Sequence, residues 1–379
     1  MFYLLLALFV YVAFALKNGK IIKTTIGNEL VIPNQKQEQK ISWLAVVVLI
    51  LVAGLRSHSV GGDLGNYRIN FDNVGEFHNI NDGYDYYGFF FQIINWTCSL
   101  FGTDNLAYTI FLLVLSAINV LVMVFAVKHL SADISTTMFL YVCLDVYVPA
   151  LSMLRQGTAV VFVVLSLKFI YEKNLVRFLT CILVAACFHE SAIILLPIYL
   201  FSFMTGKPKD LIVYTIGVVA ILIFGVFDKQ IVYGICTIFN FHYYNSYKME
   251  GDPLSLASYL KSFAMIIVFI FFLGYQTYKW VKHKPTSKKY TLLLNVFFVS
   301  ALINFYNIVQ GEFDIVSRMT YYFSTTLILL VPQFLKEITN KKIKTFFTIA
   351  VICAGLIYLT TTVLLRDQFD VLPYKIFWS

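Results

Sequence analysis

The chain has 379 residues, of which 59% are hydrophobic and only 13% charged. An ordinary soluble domain carries roughly 25% charged residues, and a mean hydropathy of +0.76 leaves too little polar surface to cover a water-soluble fold. Coiled coil and disorder fall with it, and the continuous apolar runs exclude the alternating pattern of a transmembrane β-barrel. The formal net charge of +8 is no nucleic-acid footprint, because the lysines gather in a few loops between apolar runs. No nucleic-acid partner is expected.

In chain order the apolar runs are 2–16, 41–55, 86–101, 106–127, 134–151, 157–171, 178–203, 211–227, 256–278, 290–309, 319–335 and 346–365. At roughly 20 apolar residues per span, they predict an all-α integral membrane protein. Residues 1–379 then form one membrane-embedded domain, a polytopic bundle of about 11–12 helices. The first run has no basic flank before it and no small-residue cleavage site, so it reads as a retained span. Six cysteines lie singly, mostly inside runs, and read as buried thiols.

Lysines set the orientation. They cluster in segments 17–40, 279–289 and 336–344, which are predicted to be cytoplasmic. Segments 56–85, 228–255 and 310–318 are then outer loops. The middle admits two arrangements. If every run crosses fully, Arg155 faces the cytoplasm, while Lys173 and Arg177 face outward against the charge rule. The favoured alternative makes 86–101, studded with Gln92, Asn95 and Thr97, a re-entrant or interfacial helix. In that version 178–203 breaks at Phe188-His189-Glu190-Ser191 and returns. This puts Lys173, Arg177, Lys207 and Lys209 inside and Arg155 outside.

A charged group within a span costs at least ~2.5 kcal/mol on insertion scales, so it needs a partner or a wet cavity. Arg56 closes the second run and is followed by Gly61-Gly62-Asp63 and Tyr67. Alone it reads as an interfacial anchor; with the glycine turn and acid it points to an anion and sugar site. Arg155, in Ser152-Met153-Leu154-Arg155-Gln156-Gly157, reads alone as a snorkelling cation. His189 and Glu190 stand mid-run, where packing explains them poorly. Glu312, Asp314 and Arg318 crowd a short turn before Tyr321 and Tyr322, where an ordinary salt bridge is the plain reading. Taken together, three guanidinium forks suit phosphate. An acid or His suits removal of a hydroxyl proton, and tyrosines offer flat surfaces to sugars. No G-x-x-x-x-G-K-[ST], H-E-x-x-H or cysteine-rich set is present, and Asp82 with Asp85 is a weak metal match. No metal and no cofactor is expected. Asn95-Trp96-Thr97 fits a glycosylation sequon but lies in or beside the membrane, so it is discounted.

In order along the chain, Arg56 with Gly61-Gly62-Asp63 and Tyr67, Leu154-Arg155-Gln156, Phe188-His189-Glu190-Ser191-Ala192 and Arg318 with Tyr321-Tyr322-Phe323 resemble the motifs of the EpsG/Wzy-like polysaccharide polymerases. Leu372-Pro373-Tyr374-Lys375 is similar to that family's closing segment, and the resemblance runs from about residue 41 to the end. The family often has Gly-Thr-Asp where this chain has Gly61-Gly62-Asp63, and Pro where Glu190 stands. The resemblance implies a GT-C-like membrane glycosyltransferase of the bacterial cytoplasmic (inner) membrane, with its active site facing the periplasm or exterior. It would join repeat units of an O-antigen, capsule or exopolysaccharide. Donor and acceptor would both be undecaprenyl-pyrophosphate-linked glycans, in contact with membrane lipid, and a chain-length regulator would be a further partner. Catalytic candidates are Asp63, first choice as base, then His189 with Glu190. Substrate-binding candidates are Arg56, Tyr67, Arg155, Gln156, Arg318, Tyr321 and Tyr322. The alternatives are a flippase for the same lipid-linked unit, an O-antigen ligase and a membrane acyltransferase. A flippase needs cations lining a cavity open to both sides, whereas here they gather on one predicted face.

Overall fold

The computed structural model describes residues 1–19, 39–77, 87–204, 206–238, 254–311 and 314–378. Most of the first lysine loop, Asp82, Asp85, residues 239–253 and Glu312 lie outside the described residues. Among the described residues the regular structure is helical, with one isolated antiparallel bridge between Arg56 and Ile376. Among the described residues six helical segments are long and apolar enough to cross a membrane: Asn105–Leu130, Leu154–Tyr171, Pro208–Asp228, Leu256–Val281, Lys288–Gln310 and Lys341–Leu364. Shorter apolar helices accompany them. The chain is therefore a multi-pass membrane protein.

The chain divides into two compact units. The first comprises 1–169, 174–195 and 331–379. It contains α1 (Phe2–Lys17), α2 (Trp43–Gly54), α3 (Leu64–Phe77), α4 (Phe89–Ser99), α5 (Asn105–Leu130), α6 (Ile134–Cys143), α7 (Tyr147–Ser152), most of α8 (Leu154–Tyr171) and α9 (Leu175–Phe188). α1 packs on α6 and α2 on α5, while α4 touches α3, α5 and α9. α5 shows why such a helix forms. The Asp104 carboxylate caps it by accepting from the Ala107 N–H at 2.8 Å, and Lys128 and His129 sit in its last turn, against the negative end of the dipole. Its 26 residues reach about 39 Å, enough for a bilayer core.

The second unit comprises 170–173 and 196–330. It contains α10 (Leu211–Ile238), α11 (Leu256–Val281), α12 (Lys288–Gln310) and α13 (Asp314–Ser324). α12 is central, packing against α10, α11 and α13, and it buries Asn295, Asn304 and Asn307. α10 instead exposes Ile212, Ile216, Ile223 and Val226. Such a face is stable only against lipid or other apolar matter. After α13 the chain returns to the first unit through α14 (Leu327–Glu337), followed by α15 (Lys341–Leu359).

Several boundaries differ from the sequence expectation. Run 134–151 is not one helix. It breaks after Cys143, where Val146 leaves helical geometry (φ −130°, ψ −65°). Run 319–335 breaks between α13 and α14. The predicted outer loop 56–85 contains α3, and α10 kinks at Phe227 (φ −119°, ψ 15°), where the apolar run ends, before helix resumes to Ile238. Arg318 stands on α13 rather than in a turn, because helix resumes already at Asp314. The break in 178–203 falls at His189: α9 ends at Phe188, and a 3-10 stretch runs from Glu190 to Phe203. The Lys173 ammonium lies 6.0 Å from the Phe203 ring, so that stretch ends beside the turn that precedes α9.

Candidate functional site

In the first unit the motif residues after α2 gather around the α7–α8 junction. Arg56 is only 1% exposed. Its guanidinium donates to the carbonyls of Ala53, Val60 (3.3 Å) and Leu151 (2.7 Å). The Ala53 carbonyl is one of those left over at the end of α2, so Arg56 caps that helix and ties it to α7.

The chain then turns through two glycines. Gly61 has φ +123°, and a side chain there would meet the Leu151 carbonyl at 2.8 Å. This left-handed position leads directly to Asp63, half-exposed, whose N–H donates to the Ser152 hydroxyl at 3.3 Å. α3 starts at once, and its Tyr67 is buried with a hydroxyl oxygen that accepts from the Arg155 guanidinium and the Arg155 N–H. Burial raises the Tyr67 hydroxyl above the usual tyrosine range; Arg155 opposes the shift and Asp63 adds to it. Tyr67 is thus a neutral phenol at physiological pH. Arg155, half-exposed, is the second residue of α8, and its guanidinium also lies 5.0 Å from the Tyr87 ring centre. The Tyr67 and Tyr87 rings are 5.9 Å apart. Acid, phenol and cation therefore share one place at the positive end of a helix, where anions are favoured.

Gly88 links this place to the His motif. It has φ +80°, and a side chain on it would stand 2.9 Å and 3.0 Å from the carbonyls of Cys187 and Phe188. Tyr87, beside Arg155, thus precedes a backbone contact with the end of α9, which His189 caps. His189 and Glu190 are half-exposed, and Gln156 is buried at 4%. Asn95 is fully buried and donates to Gln92, which also accepts from Asn70 at 3.0 Å, so the sequon is closed to a glycan.

In the second unit Arg318 and Tyr321 are half-exposed on α13, while Tyr322 is 1% exposed. The Lys261 ammonium of α11 lies 5.8 Å from the Tyr321 ring centre. The sequence pattern does not single out Lys261, because a lone lysine near a span end looks like an anchor. Asp145, inside run 134–151, is a second residue that the motifs miss. It is 9% exposed and accepts from the Tyr358 hydroxyl at 2.5 Å. An acid within an apolar run is the signal that points to it. The small cavity between Ala53, Ser116, Asn119, Tyr147 and Thr158 has about 20 Å³, room for one water and not for a sugar.

Fold and site define a polytopic helical membrane protein with a cation and an acid held together at the start of a helix. The chain matches the EpsG family over residues 41–376 and belongs to it. That family is associated with exopolysaccharide biosynthesis. No curated protein and no solved structure matches the chain.

Proposed function

We propose that this protein is a glycosyltransferase that joins undecaprenyl-pyrophosphate-linked repeat units into a surface polysaccharide at the outer face of the bacterial cytoplasmic membrane. One observation carries the reading: Asp63, Tyr67 and Arg155 lie together at the N-terminus of α8. In this reading the fold is a single GT-C-like machine of about 11–12 spans, and the half-exposed ends of these elements face outward.

The Asp63 carboxylate takes the proton of an acceptor sugar hydroxyl. The resulting oxygen attacks the anomeric carbon of the donor chain, and the bond from that carbon to the pyrophosphate oxygen breaks. Undecaprenyl pyrophosphate leaves with the bonding electrons, and Arg155 with the Tyr67 hydroxyl balances the charge that develops on it. His189 and Glu190, next to the α9–Gly88 contact, hold the sugar beyond. Arg56 is a structural clamp in this reading, since its donors are turned to backbone carbonyls. In the second unit, Arg318 and Lys261 bind a further phosphate, and Tyr321 stacks on a sugar. Gln156 and Tyr322 support Arg155 and Tyr321 from the interior.

The test is a deletion strain complemented with wild-type or Arg155→Ala protein, scored for surface glycan length at matched protein level. The deletion and the variant are expected to leave single repeat units on the final acceptor. A deletion that leaves no unit at the surface would indicate flipping instead. Normal chain lengths from Arg155→Ala would refute the pyrophosphate role.

A further inference from the structure

The segment 366–378 folds back onto the turn that carries Asp63. Tyr374 donates its hydroxyl to the Val52 carbonyl at 2.8 Å, the Phe377 N–H reaches Leu55 at 2.9 Å and the Ser57 N–H reaches Lys375 at 2.9 Å. The two glycines are held in the same way: the Gly61 N–H donates to the Asp370 backbone carbonyl at 2.8 Å and the Gly62 N–H to the Phe369 carbonyl at 3.1 Å. The Phe2 and Tyr374 rings stack at 4.5 Å. The Asp367 carboxylate closes the bend by accepting from the N–H groups of Val371 (2.8 Å) and Leu372 (3.2 Å).

This bend holds Asp370 at φ +51°, a left-handed backbone that a residue with a side chain seldom adopts without cause. Its exposed carboxylate lies across Gly62, with Oδ2 only 2.7 Å from where a side chain at 62 would begin. Gly62 is thus the gap that lets the Asp370 carboxylate lie against the turn that carries Asp63. A carboxylate with two acceptor oxygens is suited to a pair of neighbouring sugar hydroxyls, and it repels the pyrophosphate, so it belongs on the acceptor side.

We infer that Asp370 is a substrate-binding residue that holds the hydroxyls of the acceptor sugar beside Asp63. This rests on the polymerase reading above. The experiment uses the full chain in proteoliposomes. The donor is lipid-linked repeat unit extracted from a deletion strain and blocked at its non-reducing end, so that it cannot itself accept, and the acceptor is the same oligosaccharide freed of its lipid. Asp370→Asn is expected to raise the acceptor KM roughly 10- to 100-fold, the value of charged hydrogen bonds, with the donor KM unchanged. Gly62→Ala keeps both carboxylates but pushes Asp370 aside, and is expected to shift the same KM in the same direction. It serves as the second variant should Asp370→Asn not fold. An unchanged acceptor KM, or equal changes for donor and acceptor, overturns the assignment. A wild-type protein that forms no longer product overturns the polymerase reading itself.

Discussion

Arg56 and Arg155 are the same residue type in the same unit, and their surroundings differ in kind. The Arg56 guanidinium donates to backbone carbonyls, and the side chain is 1% exposed. Around Arg155 the neighbours are the Tyr87 ring face, the Tyr67 hydroxyl and an acid-bearing turn, and the side chain is half-exposed. Burial with carbonyl partners makes a guanidinium a clamp; partial exposure at a helix start leaves one able to meet an anion, the role proposed for Arg155. Charge in a membrane protein has to be sorted by partner before it is given a role.

Substitutions break or sharpen this contrast. The largest effect is expected from Arg56→Ala. It strips the carbonyls of Ala53, Val60 and Leu151 of their donor, at on the order of 4 kcal/mol of stability. Protein level and the detergent melting temperature should fall together, and activity should fall only in step with the amount of folded protein. Arg155→Ala should do the reverse. Folding stays near normal, while the rate of chain growth drops roughly 30- to 1000-fold, the range of about 2–4 kcal/mol for one transition-state contact. If both variants merely lost stability, the distinction between clamp and receptor would collapse.

Gly88→Ala is expected to cost about 1–3 kcal/mol, since its Cβ would press on the Phe188 carbonyl from a left-handed backbone. Differential scanning of the purified variant would read it. Tyr67→Phe removes one hydroxyl beside Arg155 and should slow chain growth by roughly 2- to 10-fold without a loss of melting temperature. A change of melting temperature larger than that of Gly88→Ala would instead put Tyr67 among the structural groups.

Part of the site is legible in the amino-acid sequence. Gly61-Gly62-Asp63 announces a tight turn ending in an acid, and the fold supplies the left-handed glycine that the pattern requires. The interruption at His189 is legible because an adjacent His and acid cannot continue an apolar helix at low cost. The break at residues 144–146 is not. Pro149 removes the helical bond to the Asp145 carbonyl and Asp145 is an acid in an apolar run, but a proline can equally kink a continuous span, and the partner that holds the unwound Asp145, Tyr358, comes from α15. The return of segment 366–378 is equally hidden, because its hydrogen bonds join residues at the two ends of the chain.

By itself the sequence determined that the protein is helical, membrane-borne and charged at a few places, since hydropathy and lysine spacing act over single spans. Only the tertiary structure decided which guanidinium is enclosed and which meets solvent, and that segment 366–378 lies against the Gly61-Gly62 turn. Those outcomes depend on which distant carbonyls and rings come within hydrogen-bond reach, and the enclosure of Arg56 is set by groups as far along the chain as Leu151.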